Sequence, residues 1–206
     1  SNFPVEFMAA VMTAESGDSE KIAAAIEECK RMGIVVLPSD VNKSGVGFSL
    51  EKLTGLSQTE LQRSLSIEGL EGGLKQGIRF GLSAVKNVGI SAIESIILAR
   101  EKSEFKSLMD ITSKVDTRVT NRKTLESLIK AGALDHFGNR ASQLLILEQC
   151  LEESHKLAKN RLSGQVSLFD GPEEIESFAI KLPVVEEMPL DEMLIYEKDL
   201  LGFYLH

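Results

Sequence analysis

The stretch Leu82–Ile96, LSAVKNVGISAIESI, decides how the chain is read. It predicts a short helix, a tight turn at Lys86-Asn87-Val88-Gly89, and a second helix. Gly89 lets the backbone take a left-handed or closely approached conformation, and Asn87 tolerates the same. Ser91 is placed to cap the second helix, whose first amide groups then face the turn. A phosphate resting there would meet unpaired N–H donors and the positive end of a helix, and Lys86 adds a full charge. The competing reading is an ordinary pair of antiparallel helices packed only for stability.

Downstream, Leu125–Leu145 (LESLIKAGALDHFGNRASQLL) repeats the scheme: helix, a small-residue turn at Ala131-Gly132-Ala133, helix. The run before it, TRVTNRK, supplies Arg118, Arg122 and Lys123, and Lys130 and Gly132 lie at the end of the next helix. Between the two hairpins, Phe105, Leu108, Ile111 and Val115 fall at helical spacing. The formal net charge is −8, but its distribution matters more than its sum. Residues 79–140 hold 11 Lys/Arg and 7 Asp/Glu, whereas residues 163–206 hold 2 and 10. A polyanion would therefore settle on the middle of the chain. No aromatic platform accompanies these charges in sequence, so stacking on single-stranded bases is not indicated.

Upstream, GDSEKIAAAIEECKRMG predicts a helix capped by Asp18 or Ser19, with Ile22, Ile26 and Cys29 on one face and Gly33 at its end. IVVLPSD predicts a short buried strand, and VNKSGVGFSLE a turn at Asn42–Gly45 followed by alternating Val46 and Phe48. Residues 52–76 are glycine-bounded and weakly patterned and read as an insertion. From Ile78 the pattern is helical. Asn139–Ala158 forms the longest amphipathic helix, about five turns. Residues 163–190 read as an extended acidic linker with three prolines. The segment from Pro189 predicts a helix still running at His206, as if the chain were a piece of something longer. Ser1 and Asn2 read as a scar.

Several chemistries find no support. Cys29 and Cys150 are isolated and read as buried free thiols, with no zinc-type spacing. His136 reads as a packing or capping residue and His155 as solvated, neither with a carboxylate or cysteine partner in sequence. Gly45-x-Gly47 is too short for a dinucleotide fingerprint. No run of 18 apolar residues exists, so no membrane is implicated.

The turn Lys86–Gly89 resembles the helix-hairpin-helix motif, with Asn87 at the position of the motif's first glycine. A wider resemblance is carried by NFPVEFMAAVMT, IEECKRMGIVVLPSDVNKSGVGF, GIRFGLSAVKNVG, FKSLMDI, LIKAGALDHFG and YEKDLLGFYLH, in that order. Together they resemble the alpha subunits of bacterial DNA polymerase III. The resemblance implies a mainly α fold with a small β element. Residues 1–77 would be the C-terminal part of the fingers, including the 52–76 insertion. Residues 78–162 would be a tandem helix-hairpin-helix region. Residues 163–206 would lead to a following domain.

The resemblance also implies duplex DNA (the primer-template) and other replicase subunits as partners, and a cytoplasmic protein. Lys86, Asn87, Val88, Gly89, Ser91, Arg118, Arg122, Lys123, Lys130 and Gly132 are the expected DNA-binding residues. The parent enzyme would be a DNA-directed polymerase using magnesium held by palm aspartates. No Asp-x-Asp pair occurs here, so no catalytic residue and no cofactor is assigned to this chain.

The family also carries an internal sliding-clamp motif, Gln, two variable residues, then Leu-Phe. Gln165, Val166, Ser167, Leu168 and Phe169 match it, flanked by Gly164 and Gly171-Pro172 that keep the segment extended. The remaining alternative is a clamp- or protein-binding helical module whose hairpins are only structural.

Overall fold

The computed structural model describes residues 3–54, 56, 76–162 and 180–203. Helix α1 (Pro4–Ala14) starts with Pro4 in its first turn, where the missing N–H is not needed. Helix α2 (Ser19–Arg31) is capped by Asp18, whose carboxylate accepts from the backbone N–H of Glu20 and Lys21 at 3.1 and 3.2 Å. Ile22, Ile26 and Cys29 are buried, as their spacing predicts. Burial pushes the Cys29 thiol up to about 11, and that of Cys150 likewise, so both are unreactive packing residues.

A three-stranded sheet follows, formed by β1 (Val36–Leu37), β2 (Ser49–Lys52) and β3 (Gln76–Arg79) in the order β1-β3-β2. β3 runs parallel to β1, pairing Val36 with Ile78, and antiparallel to β2, pairing Leu50 with Ile78. The central strand corrects the expectation that the pattern turns helical at Ile78. Ile78 and Phe80 are buried, and Arg79 between them is buried as well. Its guanidinium makes a two-point pair with Glu51, at 2.6 Å for each bond, and donates to the Pro38 carbonyl at 2.8 Å.

The next residues also avoid a helix. The N–H groups of Leu82 and Ser83 donate to the carbonyls of Gly45 and Val46, both at 3.0 Å. A Cβ on Gly81 would sit 2.5 Å from the backbone of Gly47. The chain therefore lies flat on the 45–47 loop, and only a 3-10 turn, Leu82–Ala84, remains of the expected helix.

The rest is helical: α3 (Ile90–Lys102), α4 (Leu108–Lys114), α5 (Arg122–Lys130), a 3-10 turn at Asp135–Phe137, α6 (Arg140–Leu162) and α7 (Leu190–Leu201). The fold is mainly α with a small sheet. One apolar core extends from Met8 and Met12 through Ile78 and Phe80 to Leu125, Leu128, Cys150 and Leu201. Phe80 joins its parts, 4.7 Å from the Phe48 ring centroid and 5.3 Å from that of Phe203. Each fully buried Leu or Ile contributes about 1.5–3 kcal/mol.

Two expectations near the C-terminus change. Helix α7, expected to keep running, closes at Leu201, with Gly202 left-handed at φ 87 as its C-cap. The described end of the expected acidic linker is extended, as predicted, but docked on the start of α6. The Pro183 carbonyl accepts from the Ser142 hydroxyl at 2.7 Å, and the Val185 carbonyl from the Asn139 amide at 2.8 Å. Most of the 52–76 insertion lies outside the described residues. No described helix is long and apolar enough to cross a membrane.

Candidate nucleic-acid interface

The first turn has a different local geometry from the one its glycine suggests. Asn87, at φ 66, is the one non-glycine residue with positive φ among the described residues. Gly89 is extended, at φ −76 and ψ 158, and is itself the N-cap of α3. Ser91 therefore sits in the second position of the helix and cannot cap it, and among the described residues no side-chain hydrogen bond caps this end. The first amide groups of α3 keep their donors for something outside the helix. A Cβ on Gly89 would meet nothing within 4 Å, so this helix end is open to close approach. Val88 is buried and anchors the turn from below.

The turn packs on α5. The Thr124 hydroxyl donates to the Asn87 carbonyl at 3.2 Å, and the Asn87 amide donates to the Ser127 hydroxyl at 3.2 Å. On the other side, the Lys86 N–H donates to the Leu200 carbonyl of α7 at 3.0 Å. These contacts gather Lys86, Asn87, Lys123, Ser127 and Lys130 around one open concavity of about 500 Å³, with Glu126, Tyr196, Asp199 and Leu200 completing its wall. Lys86 and Lys123 make no ion pair with any described residue. Lys130 reaches Glu126 at 2.7 Å and lies 4.3 Å from the Tyr196 ring centroid.

The remaining expected DNA contacts lie elsewhere. Arg118 is 88% exposed and folds back on Asp116 at 2.7 and 2.9 Å. The Arg118 hydrogen bonds hold the Asp116 carboxyl down at about 2. Arg122 pairs with Glu148 at 2.9 Å, both exposed. Such surface pairs are weak and open readily, but each neutralises its own field.

Gly132 does not face solvent. It is buried, its N–H donates to Ile129, and a Cβ on it would lie 2.5 Å from Arg140 Nη2. The Ala131-Gly132-Ala133 turn is thus an interior corner, and what the second hairpin presents is the Lys123–Lys130 flank of α5. Gln165–Phe169 lie outside the described residues.

Arg140 is the residue that sequence reasoning missed. It is 1% exposed, pairs with Asp135 through two 2.9 Å bonds, reaches Glu197 of α7 at 2.9 Å and donates to the Lys130 carbonyl at 3.0 Å. Burial alone would lower its pKa; the bonds and charges of Asp135 and Glu197 outweigh it and raise it. Arg140 thereby sets α7 against the end of α5, the two helices whose residues line most of the concavity. Its partner Glu197 is 57 residues away, too far for a local pattern to reveal.

His136 likewise gains a carboxylate invisible in sequence, with Asp40 at 3.5 Å, and it contacts the Asn42 amide at 3.2 Å. His155 meets the Thr117 hydroxyl at 3.1 Å. No three His, Cys, Asp or Glu side chains converge on a metal-sized site among the described residues.

Residues 33–144, over half the chain, match the family model of the helix-hairpin-helix motif. The chain belongs to the helix-hairpin-helix family. Over nearly its whole length it is also similar to proteins named DNA polymerase III subunit alpha. It is 42% identical to that of Thermus aquaticus over 99% of this chain, 40% to that of Campylobacter jejuni over 98%, and 35% to that of Bacillus subtilis over 98%. The chain spans 14–16% of the length of these relatives. The helix-hairpin-helix match begins at Gly33, and so takes in the three-stranded sheet as well as both hairpins.

Proposed function

We propose that this chain is the part of a replicative polymerase alpha subunit that grips the backbone of duplex DNA. The observation that carries the reading is the meeting of Lys86 and Lys123, from successive hairpins, on one open concavity beside the uncapped start of α3. One phosphate sits at the helix end, where N–H donors and the dipole favour it. Lys123 and Lys130 take neighbouring phosphates. Contacts of this kind position a duplex and carry no sequence information.

In this reading the chain performs no polymerisation. Nucleotidyl transfer and its magnesium belong to the palm of the parent protein, which works in the cytoplasm with other replicase subunits. The chain also tethers the enzyme to the sliding clamp. The Gln165 amide bonds in a small polar pocket of the clamp, and Leu168 and Phe169 enter an apolar one. Burying those two side chains contributes about 1.5–3 kcal/mol each, less the cost of ordering the segment. A lone motif then binds with Kd between about 1 mM and 1 μM, and attachment to DNA at the same time raises the effective affinity.

Lys86→Glu tests the DNA role. It removes one phosphate contact and adds a repulsion, so duplex binding at low salt weakens about tenfold, equally for unrelated sequences. Unchanged binding would remove the first turn from the interface. For the tether, clamp binding by fluorescence anisotropy is lost in a Leu168→Ala, Phe169→Ala double variant; binding that survives it would contradict the clamp assignment.

A further inference from the structure

We propose that Asn87 is a positioning residue rather than a phosphate ligand: it fastens the first turn to α5, so that Lys86 and Lys123 meet one duplex in fixed register. The inference rests on the DNA-binding reading above and says how the two hairpins act as one surface. The backbone at Asn87 is left-handed, at φ 66. Glycine takes that conformation more readily than any other residue, so the backbone alone does not call for asparagine. What asparagine adds is a donor, and that donor goes to Ser127 Oγ at 3.2 Å.

The place of contact gives the bond its meaning. Lys123, Ser127 and Lys130 stand at i, i+4 and i+7 and so share one face of α5. Asn87 docks on the middle member of this row, between the two lysines. Its carbonyl is held at the same time by the Thr124 hydroxyl, at 3.2 Å. Thr124 and Ser127 are 4% and 5% exposed, so the α5 end of the fastening is fixed within the fold, and the exposed Asn87 is held against it. The neighbouring Lys86 N–H is tied to Leu200. Lys86 therefore projects from a turn held on two sides, and the spacing of its backbone from that of Lys123 is set by the protein before any DNA arrives. Pre-organisation of this kind raises affinity by reducing what must be ordered on binding.

The test uses Asn87→Gly, which keeps the φ and removes the amide, and Ser127→Ala, which removes the same bond from the other side. Duplex affinity is measured for the full chain across a salt series, with thermal stability alongside. Each variant is expected to lose about three- to tenfold at low salt, the worth of one hydrogen bond. Its plot of log K against log salt is expected to be shallower by about 0.9, the signature of one phosphate contact no longer made together with the rest. The double variant should be no worse than either single one, because both remove one bond. Wild-type affinity and slope in either variant, even with a lower melting temperature, would overturn the positioning role and leave the DNA reading standing. If the wild-type chain itself fails to bind duplex, the DNA reading falls and this inference with it.

Discussion

Gly132 carries two constraints at once. Its φ of 83 is strained for any residue with a side chain, and the space a Cβ needs is filled by Arg140 Nη2 at 2.5 Å. Gly132→Ala should therefore destabilise the fold by about 2–4 kcal/mol, read from urea denaturation, because strain and steric displacement add. The displaced group is a buried cation whose partners, Asp135 and Glu197, would be left poorly matched. The glycine was legible in sequence as a turn residue, but its reason was not. A short loop with Ala-Gly-Ala beside lysines looks like a phosphate cradle until the buried arginine is in place. Asn87 was legible in the opposite sense: the residue tolerant of positive φ does adopt it, while the nearby Gly89 does not.

Helix ends decide much of the architecture at the next scale. The start of α6 is closed by a residue from far along the chain. The Glu187 carboxylate accepts from the N–H groups of Arg140 and Ala141 at 2.8 and 3.0 Å, and from its neighbour Met188 at 2.9 Å. Burial alone would raise its pKa; the bonds from Ala141, Met188 and Arg140 and the Arg140 charge outweigh this and hold it below the usual value. The sign of the pH effect follows. A depressed carboxylate stabilises the fold above its unfolded pKa of about 4.3 and ceases to do so as pH falls through its folded pKa. The stability difference between wild type and Glu187→Gln should therefore be present near neutrality and shrink as pH falls below about 4.3 and through the lowered folded value. A difference that stays constant over that range would remove the charged cap from the account.

Elements of regular period were legible: α2 and α4 bury the faces their spacing marks. The central strand was not, because both its faces are buried and no polar alternation signals it. The docked segment before α7 was hidden by its acidity, since a cap and a solvated charge look alike in sequence.

At the scale of the whole molecule, two charge regimes share one core. The whole net acidic excess lies after residue 162, and the basic excess around the hairpins. Folding does not separate them completely, for Asp199 of α7 borders the concavity that Lys86, Lys123 and Lys130 line. Asp199→Asn should therefore strengthen duplex binding severalfold at low salt, with the gain fading as salt screens the field. An unchanged affinity would mean that this carboxylate does not face the DNA. The concavity was half legible: the turn at Lys86 could be read directly, whereas its union with α5 and α7 depends on contacts across some 40 to 110 residues of sequence.

The claim that most needs testing is that this surface binds duplex backbone through a small set of phosphates. The direct measurement is duplex affinity against salt for two oligonucleotides of unrelated sequence. Three lysines on three phosphates predict a shared line of log K against log salt with a slope of about −2.7. No binding at low salt, a flat dependence, or strong preference for one sequence would contradict it.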